Sequence, residues 1–387
     1  MKAAFIFLAL MHCGLGALSA TLTVERDGSG DFFVIQDAVD AAASGDTIMI
    51  GPGRFDEGQV VSVPGWTEYV RVLVKQEHLT IIGAGVDQTI IGPNSPWDLS
   101  QGFNMGVEGG PGWGNDTVIV KGVSFENMGY AVHSFPASNL FIEDCRFSGN
   151  HYSIFAINGV SVDVVGCEFR FMPRDGKFLF LDNNPVVAVT GSTFTLADES
   201  HWIQLAVQFQ GSYGEISDCI FIDGTVGLAL SVGSSFKVNR CSFVGQERWG
   251  MLVNGGASLE MVDSRFEDQD TAFFLSNIGK STITRTEIAS VSRDVVRFDS
   301  SGGDFSITDS ILAHGPQYTI YQFSPCDKDS VEYPHIDMTN NDWGTTIADS
   351  IESWISTCTF VVDYEPFVGQ ETPVEDSSLG SFKSMFR

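Results

Sequence analysis

The sequence is poor in positive charge. Only 21 of its 387 residues are Lys or Arg, against 49 Asp or Glu, which gives a formal net charge of -28. Sequence-independent binding to nucleic acid needs Lys and Arg that displace counterions from phosphate, so we expect no nucleic-acid partner, and anionic membranes are disfavoured likewise. Long apolar runs are also missing, since no stretch approaches the roughly 18 apolar residues that span a bilayer. We therefore expect no membrane span.

Charged residues of both signs make up only 18% of the chain, which argues against a coiled coil. Instead the chain has 41 Gly, 30 Phe but only 8 Tyr, and 43% hydrophobic residues. This content is enough for a large core and excludes disorder of the whole chain. The composition favours a β architecture punctuated by glycine, with buried phenylalanine rings.

The first twenty residues have the pattern of an export signal. Met1 and Lys2 precede an apolar run from Ala3 to Met11, and small residues follow as far as Ala20. A short positive start, an apolar segment and a small-residue end are typical of a secretory signal peptide. We predict a signal peptide at residues 1–20 and a secreted or extracytoplasmic protein.

Six of the seven cysteines lie beyond the predicted signal peptide. Four of them occur in one local pattern that ends in Phe two residues later, and they are interpreted as small buried hydrophobes: Cys145, Cys167, Cys219 and Cys241. The alternative is a disulfide between Cys145 and Cys167 or between Cys219 and Cys241. Cys326 and Cys358 lie outside the pattern, and in an oxidising compartment they are predicted to form a disulfide. The spacing of none of the six is that of a zinc site.

A repeat of about 22 residues runs through the chain. Its anchor positions are Phe125, Phe147, Phe169, Phe194, Phe221, Phe243, Phe266, Ile288 and Leu312, spaced by 22, 22, 25, 27, 22, 23, 22 and 24 residues. Each anchor ends an alternating run, and a second short strand precedes it by about fifteen residues. Because no helical period lies between the strands, each repeat is predicted to be one coil of a solenoid, with the anchors stacked inside it.

The two ends of the chain carry motifs of known type. The front has Asp27-Gly-Ser-Gly-Asp31, an amphipathic Ile35–Ala43 segment, Gly45-Asp-Thr-Ile48, Pro52-Gly-Arg-Phe55 and Thr80-Ile-Ile-Gly-Ala-Gly85. This order resembles the opening of the pectin lyase-like superfamily. At the other end, Asn340-Asn-Asp-Trp-Gly-Thr-Thr346 and the amphipathic stretch through Trp354 resemble the segment that closes many secreted bacterial β-helix repeat proteins. The resemblance implies an all-β, single-stranded right-handed parallel β-helix of roughly ten to twelve coils, with an N-terminal capping helix and a C-terminal cap. It further implies an N-terminal cap at 21–60, the β-helix at 61–345, the C-terminal cap at 346–369 and a flexible tail at 370–387.

The pectin lyase-like superfamily contains several classes of enzyme, and we compared the motifs of each class with this sequence. The further motifs of pectin methylesterases and the aspartate motifs of polygalacturonases are absent. A polyuronate lyase has no local signature to match, so it stays open. Its candidate catalytic residues lie in the two longer coils, with Arg174 or Lys177 as the base and Asp182 or Asp198 on calcium. The alternative is that these are ordinary polar residues of long turns.

A second set of candidates comes from strand alternation. If the residues fifteen positions before the anchors point inward, the residues after them point outward and form a largely apolar stripe: His133, Phe155, Ala229, Leu252 and Phe274, joined in a looser alignment by Leu181, Gln208, Arg297 and Tyr321. An apolar outer stripe on a protein needs an explanation, and three are open. The chain's own Gly-rich stretch 102–115 covers it, another subunit covers it in an oligomer, or it is an open groove for a ligand. Aromatic faces on an open groove suit polysaccharide, and the ligand-binding candidates are then His133, Phe155, Leu252 and Phe274.

These observations favour a non-catalytic repeat protein that binds polysaccharide or another cell-surface component along its outer face. The alternatives are a carbohydrate-active enzyme, either a polyuronate lyase or a pectin esterase, and a purely structural surface protein. An acidic surface could hold calcium between coils, but no D-x-D-x-D-G loop occurs. We therefore predict no metal site and no cofactor.

Overall fold

The structure is a computed structural model that describes residues 19–369 except 64–65, 76–77, 96–99, 106–115, 135–137, 160, 171–175, 197–204, 300–303, 315, 317, 323–334 and 358–359. The chain winds into a parallel solenoid of about twelve coils, as predicted. Three sheets of 14, 11 and 13 strands run along it, counted over the described residues. The predicted signal peptide and the Cys326–Cys358 disulfide lie outside the described residues, and both stay predictions.

Most coils contribute one strand to each sheet. The 14-stranded sheet consists of Thr21–Val24, Thr47–Ile50, Leu79–Gly83, Asp116–Lys121, Ser138–Glu143, Ser161–Val165, Val186–Thr190, Tyr213–Ser217, Ser235–Asn239, Ser258–Val262, Ser281–Thr284, Phe305–Thr308, His335–Asp337 and Val361–Asp363. The 11-stranded sheet consists of Gly53–Phe55, Thr89–Ile91, Ser124–Glu126, Arg146–Ser148, Glu168–Arg170, Thr193–Thr195, Ile220–Ile222, Ser242–Val244, Arg265–Glu267, Glu287–Ile288 and Ile311–Leu312. The 13-stranded sheet consists of Gln59–Val63, Trp66–Val74, Gln101–Met105, Tyr130–Ser134, Tyr152–Ile157, Lys177–Asp182, Leu205–Gln210, Val226–Ser231, Trp249–Asn254, Gln269–Ser276, Val291–Phe298, Ile320–Gln322 and Ile355–Ser356.

The predicted anchor residues form one continuous column inside the solenoid. Each pairs in register with the next, from Phe125 to Leu312, on consecutive strands of the 11-stranded sheet. Phe169 shows the packing: it is fully buried, and its ring lies 4.9 Å from that of Phe147 and 4.6 Å from that of Phe194, centroid to centroid. The rings are nearly parallel because successive coils repeat the same backbone about 4.8 Å apart. This column is the centre of the core.

The backbone conformation of the turn before each repeat cysteine accounts for the residue type found there. The residue preceding the cysteine has a positive φ in all four coils: 51° at Asp144, 62° at Gly166, 55° at Asp218 and 50° at Arg240. Asp and Gly tolerate this left-handed conformation, whereas Arg240 is an uncommon residue there and its guanidinium pairs with Asp218 at 2.7 Å. The four cysteines after these turns are buried free thiols, as predicted.

Two helices lie at the ends of the described chain. Ile35–Ala41 buries Ile35, Ala38 and Val39 and contacts the first strands of the solenoid. Ala348–Ser353 buries Ile351. Neither these nor any other helix among the described residues is long and apolar enough to cross a membrane. Strands from both predicted cap regions pair within the same three sheets, and the predicted division into caps, β-helix and tail stays a prediction.

Buried asparagines hold the turns between sheets. Asn184 is fully buried; its side-chain oxygen accepts from the Gly159 N–H at 2.9 Å, and its side-chain nitrogen donates to the carbonyls of Ala156 at 3.0 Å and Asp182 at 3.1 Å. Replacing Asn184 by Ala removes all three of these bonds, although the Asp182 carbonyl still accepts from the Asn158 N–H at 2.9 Å. Since one buried backbone group left without a partner costs about 1–3 kcal/mol, we expect Asn184→Ala to lower the free energy of unfolding by about 3 kcal/mol, measured by urea denaturation. The partly exposed Asn254→Ala is the control, and an equal loss in both variants would contradict this role.

Candidate functional site: the outer face of the 13-stranded sheet

The predicted stripe lies on the outer face of the 13-stranded sheet. His133, Phe155, Ala229, Leu252 and Phe274 occupy one register column, continued by Gln208, Arg297 and Tyr321. The inclusion of Leu181 was wrong. Leu181 is fully buried and pairs with Phe209 in the inner column, and the stripe position belongs to Phe180. The predicted cover by stretch 102–115 was wrong at its start, because Gly102 to Met105 form a strand of the sheet, while 106–115 lie outside the described residues.

The first part of this face is a cluster of stacked rings that we call the aromatic belt: Tyr130, His133, Tyr152, Phe155 and Phe180. The Tyr130 and Tyr152 rings are stacked at 5.1 Å with 6° between their planes, and Phe155 and Phe180 are stacked at 5.1 Å. Phe155 also meets Tyr152 edge to face at 5.3 Å. Tyr130, Tyr152, Phe155 and Phe180 are partly exposed, so the belt presents ring surface to solvent over three consecutive coils, with Tyr152 and Phe155 on the same one.

His133 lies deeper than predicted. It is buried, stacked on Tyr130 at 5.1 Å and edge to face with Phe155 at the same distance. Burial lowers the pKa of its imidazole to about 4, because the charged form loses hydration. The ring is therefore neutral near neutral pH. It supports the exposed rings of Tyr152 and Phe155, whereas direct contact between His133 and a ligand stays a prediction.

The predicted lyase residues do not converge within the described chain. Lys177 begins and Asp182 ends the strand Lys177–Asp182, so five residues, or about 16 Å of extended backbone, separate them. The Lys177 ammonium lies 5.5 Å from the ring centres of both Tyr152 and Phe180, where it extends the aromatic belt. Arg174 and Asp198 lie outside the described residues, and their roles stay predictions.

The second part of the face is a cavity of about 340 Å³ that we call the bulge pocket. It is lined by Glu247, Arg248, Trp249, Asp270, Phe274, Arg293, Arg297 and Asp299. Trp249 and Phe274 stack at 4.3 Å, and the Arg248 guanidinium lies 5.1 Å from the Trp249 ring. Arg293 pairs with Asp270 at 3.5 Å.

A β-bulge forms this pocket. Val291 pairs with Gln269 and Asp294 with Thr271, so three residue steps on one strand match two on the other. The extra residue lies beside Asp270, whose carboxylate accepts a hydrogen bond from the Ser292 hydroxyl at 3.2 Å. Bulges redirect side chains and are over-represented next to active sites. Here the bulge brings carboxylates and guanidinium groups together beside Trp249.

Asp294 is a buried carboxyl group on the bulged strand, next in sequence to the pocket-lining residue Arg293. Its side chain is only 3% exposed, and its nearest guanidinium, that of Arg297, is 3.8 Å away. Burial raises the pKa of Asp294 to about 6, the nearby charge of Asp270 adds to the rise, and Arg297 and Arg293 oppose it. Asp294 therefore keeps its proton at mildly acidic pH, while ordinary surface carboxyl groups have lost theirs.

The raised pKa predicts a pH-dependent stability effect for Asp294→Asn. Native Asp294 holds its proton up to about pH 6, while in the unfolded chain it is lost near 3.8, so its ionisation lowers the free energy of unfolding as the pH rises through this window. Two pKa units correspond to about 3 kcal/mol. The neutral Asn should therefore stabilise the protein by about 2–3 kcal/mol at pH 7.5, with the gain fading toward pH 4, in denaturation curves at both pH values. A gain that is the same at both would show that Asp294 does not titrate as described.

Most residues of the bulge pocket were not predicted from the sequence. Phe274 was predicted as a ligand-binding residue, and Arg297 appeared only in the looser alignment of the stripe. The available signals were the pair Arg293 and Arg297 in a chain with few cations, and the spacing of 24 between Ile288 and Leu312 that contains the extra residue. Leu252 pairs with Phe274 and lies partly exposed on the next coil.

A larger groove of about 700 Å³ lies on the outer face of the 14-stranded sheet. It contains the 51% exposed Tyr213 and the ion pair of Lys237 with Glu260 at 3.5 Å. Of its rings, Phe236 is buried and Tyr213 is exposed, and Tyr213 serves below as a control. Among the described residues, no group of three or more His, Cys, Asp or Glu side chains is placed to hold a metal ion.

Comparisons with known proteins agree with this architecture. Residues 112–260 match the family described as the right handed beta helix region. The chain therefore has the fold of a right-handed parallel β-helix, and the matched family covers residues 112–260 of it.

Individual relatives are distant. The chain is 26% identical over 228 residues to "Pectinesterase 5" from Arabidopsis thaliana, which covers 57% of this chain and 34% of the pectinesterase. Its fold is similar to that of the tailspike protein of E. coli bacteriophage HK620, with a TM-score of 0.58, 13% identity, and coverage of 90% of this chain and 68% of that one. It is also similar to the catalytic unit of the GH87 alpha-1,3-glucanase from Streptomyces thermodiastaticus, with a TM-score of 0.50, 12% identity, and coverage of 93% and 70%.

Proposed function

We propose that this protein binds polysaccharide along the outer face of its 13-stranded sheet. The observation that carries the proposal is the aromatic belt, in which the partly exposed rings of Tyr130, Tyr152 and Phe180 lie on three consecutive coils, with Phe155 beside Tyr152 on the middle coil. Large contiguous apolar surfaces are uncommon on proteins that bind nothing. The C–H faces of sugars pack on such rings, and a chain of sugars can meet one ring on each coil.

The bulge pocket adds polar recognition to the same face. Its carboxylates and guanidinium groups can donate to and accept from sugar hydroxyls, and its volume lies at the lower end of the range for small-ligand sites. The distance between the belt and the pocket follows from the coil spacing: Phe180 and Phe274 are four strands apart in the sheet, about 19 Å. A ligand that meets both is therefore a polymer of several sugar units.

Retention on polysaccharides tests this function. Purified residues 21–387 are run in native gels that contain acidic or neutral polysaccharides, with and without calcium, while unsaturated products and reducing ends are followed in solution. We expect retardation by at least one polymer. Absence of retardation throughout, together with dimerisation in sedimentation, would instead assign the ring face to self-association.

A second candidate function is hydrolysis of a glycosidic bond at the bulge pocket. Asp294 favours it, since a buried carboxyl that keeps its proton near pH 6, beside the carboxylate Asp270, is the arrangement of a general acid and a base. Reducing ends that appear near pH 5 and are lost in Asp294→Asn would support it. Retention by the wild type without product would leave binding as the function.

A further inference from the structure

We propose that the bulge pocket selects uncharged sugars and that its carboxylates exclude uronates. This inference rests on the proposed polysaccharide-binding function. It assigns Asp270 and Asp299 a role in specificity: Asp270 pairs with Arg293, and Asp299 adds a second negative charge to a lining that a uronate would have to approach.

The charges of the pocket lining support this role. Three guanidinium groups line the pocket, which is unusual in a chain with 21 Lys and Arg, but three carboxylates line it as well. The formal charge of the lining is therefore zero. Arg293 is paired with Asp270 at 3.5 Å, and Arg297 lies 3.8 Å from the carboxyl of Asp294. A uronate that paired with Arg293 would have to displace the carboxylate of Asp270.

The charge of the whole molecule acts in the same direction. At -28 the protein repels a polyanion, and at physiological ionic strength the repulsion reaches about 8 Å from the surface. An uncharged sugar avoids this repulsion, and paired carboxylates and guanidinium groups can still hydrogen-bond to its hydroxyls. The stacked Trp249 and Phe274 provide apolar contact in the same cavity.

The test compares neutral and acidic polymers by affinity electrophoresis. The neutral polymers are dextran, laminarin and soluble starch, and the acidic ones are polygalacturonate and alginate. We expect a neutral polymer to bind the wild type at least tenfold more tightly than either acidic polymer. Tighter binding to an acidic polymer would overturn the specificity but leave the binding function standing, whereas retention by none of them would contradict the binding function itself.

Variants separate the local effect from total charge. Asp270→Asn with Asp299→Asn removes two carboxylates from the pocket, and Asn at position 270 can still accept from Ser292. We expect polygalacturonate to bind this variant at least tenfold more tightly than it binds the wild type. The control, Asp349→Asn with Glu352→Gln on the exposed face of the helix Ala348–Ser353, changes the net charge equally. An equal gain in both variants, or no gain in the pocket variant, would overturn the role of the carboxylates.

Discussion

Replacing Phe155 and Phe274 together by Ala is expected to weaken polysaccharide binding about 100-fold while leaving the fold intact. Each ring contributes contact on a different part of the face, since Phe155 lies in the aromatic belt and Phe274 in the bulge pocket. Loss of one aromatic contact costs on the order of 1.4 kcal/mol, or about tenfold in affinity, and the two sites are far enough apart to act additively. Affinity electrophoresis against the polymer that retains the wild type measures the effect.

A matched control uses rings on the opposite side of the solenoid. Phe141 and Tyr213 are 36% and 51% exposed on the outer face of the 14-stranded sheet. Their replacement by Ala removes a comparable apolar area without touching the belt or the pocket, so we expect affinity within about twofold of the wild type. If this control loses binding and the Phe155 and Phe274 variant keeps it, the groove around Tyr213 is the binding site.

The second large effect concerns the core. Phe169→Ala is expected to lower the free energy of unfolding by about 4 kcal/mol, because a buried Phe replaced by Ala loses its transfer free energy and leaves a cavity. The cavity left by the missing ring should stay open, because the neighbouring rings of Phe147 and Phe194 are fixed in their own coils. Urea denaturation followed by circular dichroism measures it, with the exposed Phe141→Ala expected to cost about 0.5 kcal/mol. Similar losses in the two variants would show that the ring column is not the main source of stability.

The repeat made the core predictable from sequence. Anchors spaced by 22 to 27 residues can stack only if each turn of the chain is one coil, and the pleat of a strand then determines which neighbours point inward. The positions of Val132, Ile154 and Met251 in the inner column and of Phe155 and Phe274 in the outer column followed from this rule. The error at Leu181 shows its limit, because a slip of one residue in a longer coil exchanges the two faces. Counting fifteen positions back from Phe194 gives Leu179 as the inward residue and Phe180 as the outward one, as observed.

The bulge pocket could not be predicted in the same way. It depends on one extra residue between Val291 and Asp294, and a spacing between anchors does not reveal where in a coil an extra residue lies. The burial that raises the pKa of Asp294 comes from neighbouring coils, which are distant in sequence. His133 was expected on an outer stripe, but the rings of Tyr130 and Phe155 bury it. The repeat in the sequence thus predicts which residues stack in columns along the solenoid, whereas the bulge pocket arises where one coil departs from that repeat.

The most direct test of the central claim is hydroxyl-radical footprinting with and without the polysaccharide that retains the wild type. Oxidation of each aromatic side chain is quantified by mass spectrometry. Binding along the 13-stranded sheet predicts protection of Tyr152, Phe155 and Trp249, with no change at Phe141 and Tyr213. Protection of Tyr213 and Phe141, with Tyr152 and Phe155 still oxidised at the rate of the free protein, would contradict the proposed binding face.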